Sequence, residues 1–292
     1  MSRPPAKTVR KSSVKRTTRP AARKAAAPVA EGKPGYAVPA LEKGLDVLEL
    51  LARLSAPITP SQIAQRLGRS LQEVYRMVLA LERRGYIVRP PGEEALVLST
   101  QMFGLATMFP PFRRLVDAAQ PIMNALSLEA SQACHMAVLD GLNQRIVAQV
   151  DSPAPIAIRL RVGAASPAVR GASGRTILAF QPLPIQEWIL RESQAFQAAD
   201  WLTTCEQRIA NIRARGYELI EGEVVHGVFD LSFPVLDADG RSLAALTMPF
   251  LTSYQVTVPF EDAAPMLHQA AERITSIMGG TLPPLRLPLP RL

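Results

Sequence analysis

The sequence predicts an α+β chain of two units: three helices closed by a short β-hairpin, then a helical connector and a larger domain that mixes strands with helices. Three observations carry this. Between residues 39 and 85, apolar side chains recur at helical spacing in three short segments punctuated by Pro57, Gly68 and Gly85. Two β-type runs then flank Pro90, Pro91 and Gly92. Past residue 130, stretches rich in β-formers interleave with helical ones, the pattern of a mixed domain. A length of 292 residues exceeds the roughly 100–200 of one ordinary domain, which agrees with two units.

The first helix is expected over Pro39–Leu54, where Leu41, Leu45, Leu48 and Leu51 would form its apolar stripe. Thr59 is the candidate N-cap of a second helix that begins at Pro60, carries Ile63, Ala64 and Leu67 inward and ends at Gly68. Ser70, with Glu73 three residues on, spells a capping box that opens a third helix, with Leu71, Val74, Met77, Val78 and Leu81 on its buried side. The hairpin pairs Tyr86–Arg89 with Ala95–Leu98. This is the plan of a winged helix-turn-helix spanning 36–99, a unit whose third helix enters the DNA major groove. Ser70, Gln72, Glu73, Tyr75 and Arg76 are then placed to meet base edges or phosphates, with Arg69 and Arg89 beside the backbone. Glu73 has two available roles, capping the helix or accepting from cytosine N4, and the capping box favours the first.

The net charge of +8 suggests a polyanionic partner, but its location matters more than its size. Residues 1–35 hold ten Lys or Arg against Glu31, a local +9, so the remaining 23 bases and 24 acids net −1. That opening segment, rich in Ala, Pro, Ser and Thr, cannot bury enough apolar surface to offset its ordering entropy and is expected to be a disordered basic tail. It suits a DNA-contacting arm, a solubilising tail or, less well because Pro4, Pro5, Pro20 and Pro28 interrupt any helix, a targeting segment. No apolar run reaches the ~18 residues a membrane span needs. Cys134 and Cys205 stand far apart without a CxxC, so neither a disulfide framework nor a zinc cluster is indicated, and a reducing cytoplasm fits.

In the second unit, HMAVLD and QRIVAQV around Gly141 read as a hairpin, and ELIEGE, VFDLSFPVLD and RSLAALTM as further strands. Helices are expected over about 174–180, 186–191, 203–215 and 260–278. Nothing here spells an enzyme. GxGxxG and GxxxxGK[ST] are absent, and His135, His226 and His268 share no ligand spacing. Cys134 and His135 alternate to opposite faces of a strand and cannot act together. Glu221, Glu223 and His226 form a small polar group of the kind usually found on a surface, so no metal and no cofactor is expected.

The segments GLDVLELLARL, ITPSQIAQRLG and VYRMVLALERRGYI, followed in order by ACHMAVLDGLNQRIVAQVDSP, IRLRVGAASPAVRGASGRTILAF, RIANIRARGYELIEGE and GVFDLSFPVLDADGRSLAALTM, strongly resemble the isocitrate lyase regulator (IclR) family of bacterial transcription regulators. The resemblance covers about residues 38–280. It implies a homodimer or dimer of dimers that binds a double-stranded operator of paired half-sites, and a GAF-like effector-binding domain over 120–280 that takes a small organic or aromatic acid. It makes 100–119 a linker helix used in dimerisation, with 281–292 left as a Pro/Leu-rich tail. Pro110 and Pro111 predict a kink or break in that linker.

In the family, the loop before a Gly-Lys pair offers small residues and backbone N–H groups to an acidic ligand at a helix N-terminus. The matching stretch here is Val169, Arg170, Gly171, Ala172, Ser173, Gly174 and Arg175, where Arg170 or Arg175 would add a bidentate contact to a carboxylate. On the opposite wall the resemblance puts Asp230 where relatives often carry a small or thiol side chain. A carboxylate there repels an anion unless it pairs with an arginine or takes up a proton, which opens the site to a ligand bearing a hydroxyl or amine. Met136, Phe233 and Met248 are the expected apolar lining. The competing readings are a weakly specific DNA-coating protein driven by the basic arm, and a ligand sensor acting through a partner protein.

Overall fold

A computed structural model describes residues 38–108, 110–194, 201–223, 225–251 and 258–285. The basic tail, and most of the C-terminal tail, lie outside these residues. The chain divides at Thr100/Gln101 into two compact units.

Unit one contains α1 (Pro39–Ala52), α2 (Pro60–Leu67), α3 (Leu71–Arg83), β1 (Ile87–Val88) and β2 (Val97–Leu98). Both expected caps form. Thr59 accepts from the Gln62 amide while the Gln62 side chain returns to the Thr59 N–H, and Ser70 and Glu73 do the same for α3. Gly68, at φ +62°, ends α2 in the left-handed conformation that makes the tight turn into α3. The antiparallel pair Ile87–Leu98 and Val88–Val97 forms the wing, and a bridge between Ile58 and Leu96 ties it to the start of α2.

Two expectations about helix faces need correction. On α1 the buried positions are Val47 and Leu51, whereas Leu41 and Leu45 are exposed. The core formed by Ile58, Ile63, Val74, Val78, Ile87 and Leu96 is small and closes over one turn of α1, so the leucines nearer its start are left uncovered among the described residues. On α3, Val74 and Val78 are buried and Leu71 is exposed.

Unit two opens with α4 (Gln101–Thr107) and α5 (Pro110–Ala130). The expected interruption is a break, and the proline pair starts the second helix, where a missing N–H costs nothing because no intrahelical acceptor awaits it. The expected boundary at 119/120 falls inside α5, whose Ala119, Ile122, Met123 and Leu126 belong to the unit-two core.

A six-stranded antiparallel sheet follows in the order β5-β4-β3-β8-β7-β6, from β3 (Cys134–Asp140), β4 (Asn143–Val150), β5 (Ala165–Pro167), β6 (Glu218–Glu221), β7 (Val228–Leu236) and β8 (Ser242–Leu251). Strand alternation sorts its side chains onto two faces. Cys134, Met136, Leu231, Phe233, Leu246 and Met248 point to the layer made by α5 and α9 (Phe260–Ile277). The other face is covered by α6 (Ala172–Ala179), with α7 (Leu183–Gln194) and α8 (Trp201–Arg215) packed outside it around Leu178, Ile189, Cys205 and Ile209.

Candidate functional site

The sequence placed seven residues at DNA, four of them on α3 and the others on its N-terminal turn and at the wing, and the structure divides them by availability. Gln72, Tyr75 and Arg76 are exposed, and Arg76 makes no ion pair among the described residues. Ser70 and Glu73 are occupied by capping each other's backbone. Lys43 of α1 donates to Glu73 at 2.5 Å, and this bond, with those from Ser70, holds the carboxyl down at about 2. Glu73 is thereby a fixed structural anion. Arg69 is tied to Asp46 at 2.5 Å, and Arg89 to Glu82 at 2.9 Å and to the Glu94 carbonyl at 2.8 Å. The two arginines expected at phosphates therefore pair within the unit.

In unit two, α6 enters over the sheet with no side chain capping its first turn. Gly171, its N-cap, sits at φ +79° and ψ 163°, a conformation open to glycine alone without strain. Gly174 lets the helix lie on the preceding loop, since a Cβ there would stand 2.1 Å from the Ala168 carbonyl oxygen. Every residue from Ala172 to Ala179 is buried.

Beneath α6 a row of polar residues crosses five strands. Gln149 pairs with His135, His135 with Thr247, Thr247 with Ser232, and Ser232 with Glu218. The last four are all buried. Ser173, in the first turn of α6, bonds His135 Nε2 at 3.1 Å and Thr247 Oγ1 at 2.8 Å, and Thr247 continues to Ser232 at 2.8 Å. His135 Nδ1 has no partner among the described residues. Burial pushes this imidazole down to about 4, so it is neutral at pH 7.

Arg175 closes the far end of the row. Its guanidinium, 4% exposed, meets Glu218 at 3.3 Å, Glu223 at 2.8 Å and the Val169 carbonyl at 3.3 Å. Arg215 also binds Glu218, and Arg208 binds Glu223. Burial acts to raise Glu223, but Arg175 and Arg208 outweigh it and hold the carboxyl below its ordinary range. Asp230, one register step from Ser232 on the same face, is pushed up to about 6 by burial, partly offset by Arg175 and reinforced by Glu223.

Several expectations change. Arg175 is spent on two carboxylates and cannot also clamp a ligand acid; Arg170 is exposed. Met136, Phe233 and Met248 are 0–1% exposed on the face away from α6, where Phe233 packs on Tyr217 and His268. They belong to the α5/α9 core and do not line a site shared with Gly171–Arg175 and Asp230. Residues the sequence reading missed are Gln149, Thr247, Ser232, Glu218 and the loop after β4. There a cleft of about 670 Å³ is lined by Gln149, Asp151, Arg159, Leu160, Arg161 and Val162. Gln149 is thus both a wall of the cleft and the first member of the polar row. Among the described residues, no group of three or more His, Cys, Asp or Glu is arranged to hold a metal.

Two family profiles match the chain: the IclR helix-turn-helix domain over residues 40–91, and the bacterial transcriptional regulator IclR C-terminal domain over 113–276. The chain belongs to the IclR family. It is an IclR-type DNA-binding transcriptional regulator with a C-terminal effector domain, and not an enzyme. The transcriptional repressor IclR of Escherichia coli K12 is 24% identical over 250 residues, covering 83% of this chain and 91% of the relative. The uncharacterised HTH-type transcriptional regulator RhmR of the same organism is 26% identical over 215 residues, or 72% and 82%. Among solved structures, an IclR homologue from Microbacterium hydrocarbonoxydans complexed with 4-hydroxybenzoate superposes with a TM-score of 0.68 at 19% identity, covering 82% of this chain and 98% of that one. No helix among the described residues is long and apolar enough to cross a membrane.

Proposed function

We propose that this IclR regulator is a cytoplasmic homodimer, or dimer of dimers, that binds a palindromic operator through α3 and changes its affinity when a small molecule settles between α6 and the sheet. The observation that carries the effector half is the buried row under α6: a helix start without a side-chain cap and a His135 Nδ1 without a partner among the described residues lie on one face with Asp230, and Gln149 connects the row to an open cleft. Amides of Ala172, Ser173 and Gly174 supply donors at the positive end of the helix dipole. At the cleft Arg159 pairs with Asp151 at 3.3 Å, and Arg161 supplies the positive charge that Arg175 cannot. The 4-hydroxybenzoate held by the Microbacterium relative has the two groups this arrangement suits, an acid for the cationic end and a hydroxyl for His135 or Asp230. For assembly, Met102, Phe103, Leu105 and Met108 leave an apolar face on and just beyond α4 that a second copy would cover.

The experiment is a genome-wide selection of bound fragments with purified full-length protein at two salt concentrations, with and without 4-hydroxybenzoate. Recovery of one palindrome beside a few promoters, shifted in affinity by ligand, supports the reading. Featureless recovery that vanishes at high salt would replace it with the coating protein that the basic tail favours.

A further inference from the structure

One feature of α3 is unused by the core. Leu71, Tyr75 and Leu79 stand 52%, 48% and 47% exposed. At 100° per residue they run i, i+4, i+8 up the helix, immediately beside Gln72 and Arg76, and the five share an arc of about 140°. Core contacts do not explain them, because α3 already buries Val74 and Val78, and its remaining side is held to α1 by the Lys43–Glu73 pair. A helix that met only phosphates and polar base edges would carry charged or amide side chains along this arc. This one presents two leucines and a tyrosine.

We propose that Leu71 and Leu79 are specificity-determining residues that read thymine 5-methyl groups in the major groove, with Tyr75 packing between them, so that each operator half-site carries thymines spaced along one groove face. The inference rests on α3 being the groove helix. The thymine methyl is the one apolar group on a base edge in that groove, so it is the chemistry an apolar stripe can recognise there. Gln72 and Arg76, on the polar side of the arc, contact hydrogen-bonding edges or phosphates in the same frame. The stripe thus sets which bases are preferred, and Arg76 sets how tightly any site is held.

The test uses full-length protein and the palindrome it selects from a random pool. Each thymine is replaced in turn by deoxyuridine, which keeps the O4 acceptor and the pairing with adenine and removes only the methyl. Affinity is measured by fluorescence anisotropy for the wild type and for Leu71→Ala and Leu79→Ala. The expected result is a loss of about fourfold per contacted methyl for the wild type, the value of one buried methyl-sized group. That loss should vanish at one position in each variant, while the salt dependence stays unchanged. Equal binding of thymine and deoxyuridine operators overturns the proposal. So does a leucine variant that loses the same affinity on both, or one that alters the oligomeric state in sedimentation, which would make the stripe a contact between copies. Failure to select any motif would remove the groove-helix reading itself, a different result from a motif indifferent to methyls.

Discussion

His135 and Thr247 face each other across β3 and β8, and Ser173 of α6 bonds both. A helix is thereby fastened to the middle of the sheet through three side chains that are all buried. A buried hydroxyl bonded on two sides is costly to delete, because each partner is left with an unmet polar group. Thr247→Val keeps the shape and removes the oxygen. It should destabilise unit two by about 1–3 kcal/mol, read as a lower urea midpoint at unchanged slope, and an unchanged midpoint would show that water replaces the hydroxyl freely.

The two perturbed groups of this face oppose each other in pH. His135 has a folded value near 4 against 6.5 unfolded, so its contribution is fully present above 6.5 and is lost as pH falls toward 4. Asp230 has a folded value near 6 against 3.8, so the folded state binds the proton more tightly and stability rises as pH falls from 6 toward 3.8. Between about 4 and 6 the two slopes offset. Thermal melts of ligand-free protein should therefore be nearly flat in pH across that window. Asp230→Asn should unmask a stability that falls on acidification, and His135→Gln one that rises. If both variants keep the wild-type profile, neither group titrates as assigned.

Arg175 holds Glu218 and Glu223 together, and Glu218 is 2% exposed. Removing one partner of a buried pair leaves the other charge uncompensated. Arg175→Met should cost about 3 kcal/mol, with Arg215 limiting the damage, and adding Glu218→Gln should recover more than half. Loss below about 0.5 kcal/mol, the scatter of an ordinary surface substitution, would mean the cluster is solvated.

Arg76 and Glu73 lie three residues apart on α3 and should behave differently. Arg76→Ala should weaken operator binding about tenfold, the ~1.4 kcal/mol expected of a single charged contact, at an unchanged melting temperature. Glu73→Gln should lower the stability of unit one and leave the selected motif unaltered, since its carboxylate is committed to Ser70 and Lys43. A changed base preference in Glu73→Gln would return that residue to the groove.

Deleting residues 1–35 removes ten of the 33 basic residues. Affinity should fall similarly on specific and random DNA, and the slope of log affinity against log salt should flatten, because fewer counterions are released. An unaffected slope would assign the tail to solubility.

The sequence by itself determined the elements whose signals are local. Capping pairs three residues apart, Gly68 at a turn and Pro110–Pro111 at a helix start each act through their own backbone, so they can be read without knowing what lies across the fold. Some of the site was also legible and went unused. Asp230 and Phe233, an odd number apart on one strand, must point to opposite faces, as must Met248 and the adjacent Thr247; the parity that separated Cys134 from His135 applies equally to them. What only the tertiary structure decided was the row Gln149–His135–Thr247–Ser232–Glu218. Its members are brought level by the register of four strand pairings and by a bulge between Met136 and Ala137, and register is chosen by the packing of two sheet faces against α5, α9 and α6. The same packing left Arg175 between two carboxylates and Leu71 in the open, because whether a charge is spent or an apolar side chain is covered depends on neighbours that are distant in sequence.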